Sequence, residues 1–202
     1  MSTISTQELL HLMKTRRSVR SFQDKPVQDE VIHHLLEAAI WGPSSHNRQP
    51  WRFVVIRENQ DRLADAMASR LRSDLQSDGV SEEFIRKDTE RSRRRLTSAP
   101  VLILVCLSME DMDTYPDPVR NQNEYIMAVQ SVALASQNLL LMAHAQGLGA
   151  FWMCAPLFCP DTVKDTLDLP HDYIPQGIIA VGYPDEQPTR TRRPLETRVI
   201  YR

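Results

Sequence analysis

Near the start of the chain, Arg16-Arg17-Ser18-Val19-Arg20 puts three guanidiniums and a hydroxyl into five residues. A guanidinium is a planar fork that makes paired bonds to phosphate oxygens, so this run can hold a phosphate or the hydroxyls of a sugar chain. It also suits a solvated helix end, where basic side chains offset the macrodipole. A second basic run, Arg190, Arg192 and Arg193 followed by Pro194-Leu195-Glu196, could meet the first around one phosphate or remain a solvated tail. Between them, Pro43-Ser44-Ser45-His46-Asn47-Arg48-Gln49-Pro50-Trp51 is dense in hydrogen-bonding side chains and braced by two prolines. Asn and Ser offer mixed donors and acceptors that read the edge of a heterocycle, although a helix-to-strand connector is polar in any case. Gly147-Leu148-Gly149 would let the backbone approach a flat ring, and Gly147 also serves as a helix cap.

Other chemistry finds less support. The chain contains no G-x-G-x-x-G, P-loop or H-E-x-x-H pattern, and Ser108 and Ser131 lack a nucleophile-elbow context. His33 and His34 are adjacent on a helical stretch, so their side chains diverge toward the surface. Residues 86–95 are basic, but Glu90 and Arg94 at i,i+4 read as a solvated helix face. Cys106, Cys154 and Cys159 complete no zinc set and read as structural thiols. Their odd number, and a start without a basic segment leading into an apolar run, point to reduced thiols in the cytoplasm. A net charge of −2 argues against generic nucleic-acid binding. With 202 residues, 42% apolar and 25% charged, the chain is expected to form one domain over residues 1–202 without disulfides or metal.

The elements that must position these residues follow from periodicity and punctuation. Ser5 and Glu8 form a capping-box pattern, with Ile4 and Leu9 as a staple, opening a helix that ends near Arg16. Apolar residues at helical spacing predict a second helix from Asp29 to Trp41, stopped by Gly42-Pro43. Residues 51–56 read as a strand. Asn59 is expected to cap a third helix on Leu63, Ala66, Met67 and Leu71, with a polar loop over 73–79. Ser81 is expected to cap a charged fourth helix. Residues 99–107 read as a strand covered on both faces. Residues 125–143 carry no charge. They are long enough to cross a membrane, but Gln130, Ser131, Ser136, Gln137 and Asn138 favour a buried central helix. Short strands at 151–154 and 176–181, a helix at 161–167 and an extended basic tail complete a mixed α and β chain.

Together, in this order, Arg16 to Arg20, Pro43 to Trp51, Gln137-Asn138 leading to Gly147-Leu148-Gly149, and Gly182-Tyr183-Pro184 before the basic tail resemble the nitroreductase family. The resemblance extends over nearly the whole chain. It implies an α+β fold with a central, mostly antiparallel sheet wrapped by helices. Two chains would intertwine as a homodimer through a long central helix and an extended C-terminal arm. It implies FMN at the dimer interface. Arg16, Arg17, Ser18 and Arg20, with Val19 between them, would take the phosphate and ribityl chain, and Arg190 and Arg192 would add to the phosphate grip. Pro43, Ser44, Ser45 and Asn47 would come from the partner chain. Gly147, Leu148, Gly149 and Ala150 would approach the isoalloxazine ring. The implied activity is ping-pong hydride transfer from NADH or NADPH through flavin N5 to a nitroaromatic, quinone or similar small acceptor. The cofactor carries that chemistry, and no catalytic side chain is assigned.

Two stretches, Arg70-Leu71-Arg72-Ser73-Asp74-Leu75 running on to Asp78-Gly79-Val80, and Asp113-Thr114-Tyr115-Pro116-Asp117, resemble one branch of the family. That branch is the flavin-binding C-terminal domain of the γ-glutamyl ligase of deazaflavin cofactor biosynthesis. It implies reduction of a dehydro precursor, with Arg70, Arg72 and Asp74 as candidate substrate contacts. The Ser44-Ser45-His46-Asn47 loop is closer to general nitroreductases, and a chain starting at its own Met1 is expected to lack the ligase domain. A general reductase is therefore the first reading, the precursor reductase the second, and a flavin-binding protein without turnover a third.

Overall fold

The central strand dictates the architecture. In the computed structural model, which describes residues 4–202, β2 (Val101–Leu107) is buried along its whole length. It lies between β1 (Trp51–Ile56) and β4 (Ile174–Gly182), with β3 (Gly149–Met153) beyond β4. The order is β1-β2-β4-β3 and every neighbouring pair is antiparallel. Successive side chains of a strand point to opposite faces. Accordingly Val101, Ile103, Val105 and Leu107 join Leu35, Ala135 and Leu139 in one core layer. Leu102, Leu104 and Cys106 join Leu63, Met67, Leu96 and Val163 in the other. Helices thus cover both faces, which is why β2 is apolar at every position. Each such side chain contributes about 1.5–3 kcal/mol on burial.

Among the described residues there are six α-helices: α1 (Thr6–Thr15), α2 (Asp29–Ile40), α3 (Gln60–Ser77), α4 (Glu82–Thr97), α5 (Pro118–Ala145) and α6 (Pro160–Leu167), of which all but α1 bury residues in the core. The capping box opens α1, with Ser5 Oγ accepting the Glu8 N–H and Glu8 accepting the Ser5 N–H. The staple does not pack, since Ile4 and Leu9 are both exposed. Ser81 caps α4 through the Phe84 N–H.

Three expectations are corrected. Asn59 precedes α3, but at φ 62° its side chain makes no cap bond. The loop expected over 73–79 is helical through Ser77, because nothing between Ser73 and Asp78 interrupts the helix and Arg70 pairs with Asp74 across a turn. Gly79, at φ 72°, follows its end. The uncharged helix begins at Pro118, seven residues before Tyr125. Asp117 there accepts the N–H groups of Val119 and Arg120, both at 3.0 Å. In α5 the hydroxyls of Ser131 and Ser136 donate to the carbonyls four residues earlier, so they are buried at little cost. Its buried stripe includes Ala128, Val132, Ala135 and Leu139, while Ile126 (43% exposed) and Leu134 (47%) leave a second apolar face open. After β4 the chain is extended and mostly exposed, apart from a 3-10 turn at Leu195–Thr197.

Candidate functional site

Leaving α1, residues 16–22 run as an extended strap across the ends of β3 and β4. Val19 N–H donates to the Ala150 carbonyl at 3.1 Å, and the Gln23 N–H to the Tyr183 carbonyl at 2.9 Å. Asp185 N–H returns to the Ser21 carbonyl, also at 2.9 Å. The strap is therefore held between β3 and the start of the tail, which brings the two basic runs together. Its closest approach is at Gly149, where an added Cβ would lie 2.7 Å from Val19 Cγ1. The glycine makes room for the strap, and Val19 is buried against it.

The strap and tail enclose a cavity of about 430 Å³ lined by Arg17, Ser18, Arg20, Arg190, Arg192, Pro188 and Arg95. Among the described residues, no carboxylate stands within ion-pair distance of the five arginines. Arg17 donates through Nη1 to the carbonyls of Lys14 and Arg16, but its buried Nε has no protein partner. Arg16 does not line the cavity; burial, then Arg192 and Arg17, lower its pKa. Arginine stays charged under such pressure, so the arrangement calls for an anion. Sharing Arg17 and Pro188 with this cavity is a second one of about 400 Å³, bordered by Thr15, Val19, His144, Gly147 and Leu148. Gly147 turns there with φ 75°. Burial, then Arg16 and Arg17, lower the pKa of His144, and Nε2 lies 2.8 Å from Thr15 Oγ1. Burial and the two arginines thus disfavour a charge on the imidazole that borders this second space.

The structure sorts the sequence candidates. Residues 17–20, 147–148, 190 and 192 line the paired cavities; Arg16 lines neither, and Gly149 and Ala150 are taken up by the strap. Residues 43–47 lie elsewhere in the same chain. Pro43, Ser44 and Ser45 border a shallow cavity of about 260 Å³ against Met127, Gln130, Ser131 and Leu134 of α5. Gln130 and His144 stand about 20 Å apart along the helix axis, from the α-helical rise per residue. The loop is held in an uncommon shape, with His46, Asn47 and Gln49 at φ 48°, 56° and 51°. Such residues store about 1–3 kcal/mol each. Arg70 and Asp74 are joined at 2.8 and 3.0 Å beside a crevice of about 90 Å³ with Phe158 and Cys159. Arg72 pairs with Glu82 at 3.1 Å. These three are not brought to the arginine cavity.

Arg95 is the wall residue that the sequence reading missed. The expected Glu90–Arg94 pair does not form; Glu90 pairs backwards with Arg86 at 3.3 Å, and Arg95 lines the arginine cavity instead. The available signal was the spacing of Arg91, Arg94 and Arg95, which puts three guanidiniums on one helical face. Among the described residues no group of three His, Cys, Asp or Glu could hold a metal ion.

Comparison with known proteins places this geometry in context. A candidate NADH dehydrogenase/NAD(P)H nitroreductase of Methanothermobacter thermautotrophicus is 32% identical over 92% of this chain and 82% of its own length. A candidate NAD(P)H nitroreductase of Bacillus subtilis, YfhC, is 26% identical over 94% and 92%. Among solved structures, a candidate nitroreductase from Desulfovibrio desulfuricans in complex with FMN superposes with a TM-score of 0.75. It is 31% identical, over 99% of this chain and 98% of that one. A BluB-like flavoprotein from Clostridium difficile 630 reaches 0.83 at 25% identity, over 96% and 98%. The sequence pattern described as Nitroreductase family matches residues 13–183, which include the strap, the 43–51 loop and the Gly147 turn. With most of its length matched and its sheet and helices shared, the chain belongs to the nitroreductase family.

Proposed function

We propose that the chain is an FMN-dependent oxidoreductase that works as a homodimer and passes a hydride from NADH or NADPH to a nitroaromatic, quinone or similar acceptor. The observation that carries this reading is the paired cavity: a basic pocket suited to a phosphate beside a second space bordered by Val19, His144, Gly147, Leu148 and Glu186. The residues present fit FMN. The orphaned Nε of Arg17 is a buried donor aimed at no protein atom, and an anionic ligand satisfies it. Arg17, Ser18, Arg20, Arg190 and Arg192 would hold the phosphate and ribityl chain, with the charge of Arg16 close to Arg17 and Arg192. Gly147 and Leu148 would offer backbone and an apolar side chain to the ring. When bound, FMN supplies the two-electron redox chemistry.

This chain's own residues bind, orient and exclude water. Burial and the neighbouring arginines disfavour a charge on His144 beside Leu148. Donor and acceptor would use the same open face in turn, a ping-pong order that needs no side-chain acid or base. Pro43, Ser44, Ser45 and Asn47, far from the cavity in their own chain, would complete the partner's site. The apolar side chains left open on α1, α5 and the tail supply a surface for that pairing: Leu10, Met13, Ile126, Leu134, Ile200 and Tyr201.

The test is direct. The purified protein should be yellow, release about one FMN per chain on denaturation, and oxidise NADH or NADPH with an added quinone or nitroaromatic. A colourless protein that takes up no added FMN would overturn the proposal.

A further inference from the structure

Beyond Arg20 and Arg95, which it shares with the basic pocket, a groove of about 320 Å³ opens between the strap and α4. The strap lines it with Arg20, Ser21 and Phe22, and α4 with Arg91, Arg94, Arg95 and Ser98. The α4 contributors stand at i, i+3, i+4 and i+7, one face of the helix. Elsewhere on α4 basic side chains are neutralised: Arg86 by Glu90, Lys87 by Glu83, Arg93 by Asp61 and Asp65. On the groove face only Arg91 has a carboxylate, that of Asp88. Among the described residues Arg20, Arg94 and Arg95 have none within ion-pair distance. A basic last turn offsets the helix dipole, which accounts for Arg94 and Arg95 on their own helix but not for Arg20, which arrives from the strap. Burial, then Arg91 and Arg20, lower the pKa of Arg95. Like charges gathered from two elements make a site for an anion.

The groove differs from the basic pocket in its exposure. In the pocket the buried Nε of Arg17 lacks a protein partner, which suits a group that stays. In the groove Arg20, Arg91 and Arg94 are exposed, and Ser21 and Ser98 add exposed hydroxyls. Contacts between exposed charges are worth only about 0–1 kcal/mol each, so a ligand held by them exchanges readily. That suits a substrate, which must arrive and leave at every turnover. Of the two hydride donors, NADPH carries a phosphate monoester on its adenosine ribose that NADH lacks. Such a group bears a charge of about −1.5 to −2 at neutral pH, and guanidiniums meet its oxygens in paired bonds. Half-buried Phe22, with its ring stacked on that of Phe151 at 6.3 Å, is an aromatic wall against which adenine can pack.

The order of the spaces fits an extended dinucleotide. The space beside Gly147 shares Arg17 and Pro188 with the basic pocket, and the basic pocket shares Arg20 and Arg95 with the groove. A nucleotide with its nicotinamide at the flavin ring would cross the mouth of the basic pocket and end in the groove. Building on the FMN reading above, we propose that the groove is the 2′-phosphate subsite of the hydride donor, so that the chain selects NADPH over NADH. Arg91 and Arg94 set that choice: they line the groove and border neither of the first two cavities. The adenine would lie against Phe22.

The test uses the full-length protein loaded with FMN. With one quinone acceptor held fixed, the wild type should show a kcat/KM for NADPH about tenfold or more above that for NADH. The double variant Arg91→Gln/Arg94→Gln keeps the side-chain stems. It should lower kcat/KM for NADPH about tenfold or more, through KM and not kcat, as for loss of charge-assisted contacts, and change that for NADH by less than about twofold. Calorimetric titration gives a readout without turnover. The wild type should bind 2′,5′-ADP about tenfold or more tighter than 5′-AMP, and the double variant should not distinguish them. Equal kcat/KM for the two donors in the wild type, equal losses for both in the variant, or equal binding of the two adenosine phosphates would overturn the subsite. So would a variant that loses FMN together with NADPH, which would assign the groove to the cofactor. FMN content and NADH oxidation report separately on the reading above: a yellow chain that oxidises NADH but ignores the 2′-phosphate loses only this inference, whereas one that binds neither FMN nor 2′,5′-ADP loses both.

Discussion

At the scale of single residues, the cavity wall is a set of arginines whose charges are not answered by the protein. Arg17 shows this most directly, with one end of its guanidinium tied to backbone carbonyls and a buried Nε left over. Burial, then Arg192, which is remote in sequence, lower the pKa of Arg16. Replacing Arg192→Ala is therefore expected to weaken FMN binding by about 1.5–3 kcal/mol, the range for a hydrogen bond to a charged group. Titration of the stripped protein measures it, and unchanged affinity would remove the tail from the site. His144 gives a pH signature. Its folded-state pKa lies below its ordinary 6.5, so between those values the unfolded chain holds a proton that the folded chain does not. Stability then rises with pH across that window and declines as pH falls below about 6.5. Thermal unfolding between pH 5 and 7.5 should show a shallower acid decline in His144→Gln than in the wild type. Parallel curves would count against the role of burial and nearby arginines.

The elements were legible to different degrees. The bounds of β1 could be read directly, because a run of bulky residues follows Pro50 and ends before a helix start. The apolar run of β2 and the capping box of α1 were equally local signals. The start of α5 was obscured by Arg120 and Glu124, charges that precede the uncharged run over 125–143. Yet Asp117 and Pro118 carry a helix start in plain view, and Glu124 is itself buried. The strap could not be read as an element at all. Its conformation is imposed by single bridges to Ala150 and Pro184, contacts distant in sequence. Gly149 is the pivot of that arrangement. Gly149→Ala would drive a methyl into Val19, and overpacking of this kind costs about 1–3 kcal/mol. A lower melting temperature together with weaker FMN binding is the expected result. A melting temperature equal to the wild type's would mean that the strap yields freely.

For the whole molecule, the notable quantity is the apolar surface left over once one chain has folded. α1 buries no residue, and α5 offers one face to the sheet and another to solvent. Leu134 also borders the space next to Ser44 and Ser45, so the open face of α5 adjoins the loop proposed to reach the partner. Leu134→Glu should shift the protein from dimer to monomer in sedimentation velocity and lower FMN affinity in step. A wild-type chain that already sediments as a monomer would sink the dimer reading.

What the sequence by itself determined was chemistry that is local or periodic: the guanidinium runs, the prolines bracing the 43–51 loop, the two-faced burial of β2 and most element ends. Each depends on neighbours within a turn or on strand alternation, so the chain states it without reference to the fold. The tertiary structure decided which of those pieces meet. It brought Arg17 to Arg192 and left residues 43–47 on another part of α5. It gave Gly149 to Val19 and turned Arg95 from a solvated helix face into a wall of the arginine-lined cavity. The physical reason is that side-chain direction is set by local backbone, whereas proximity is set by how the sheet orders its strands. Nothing in the spacing of residues 16, 95 and 192 encodes that order.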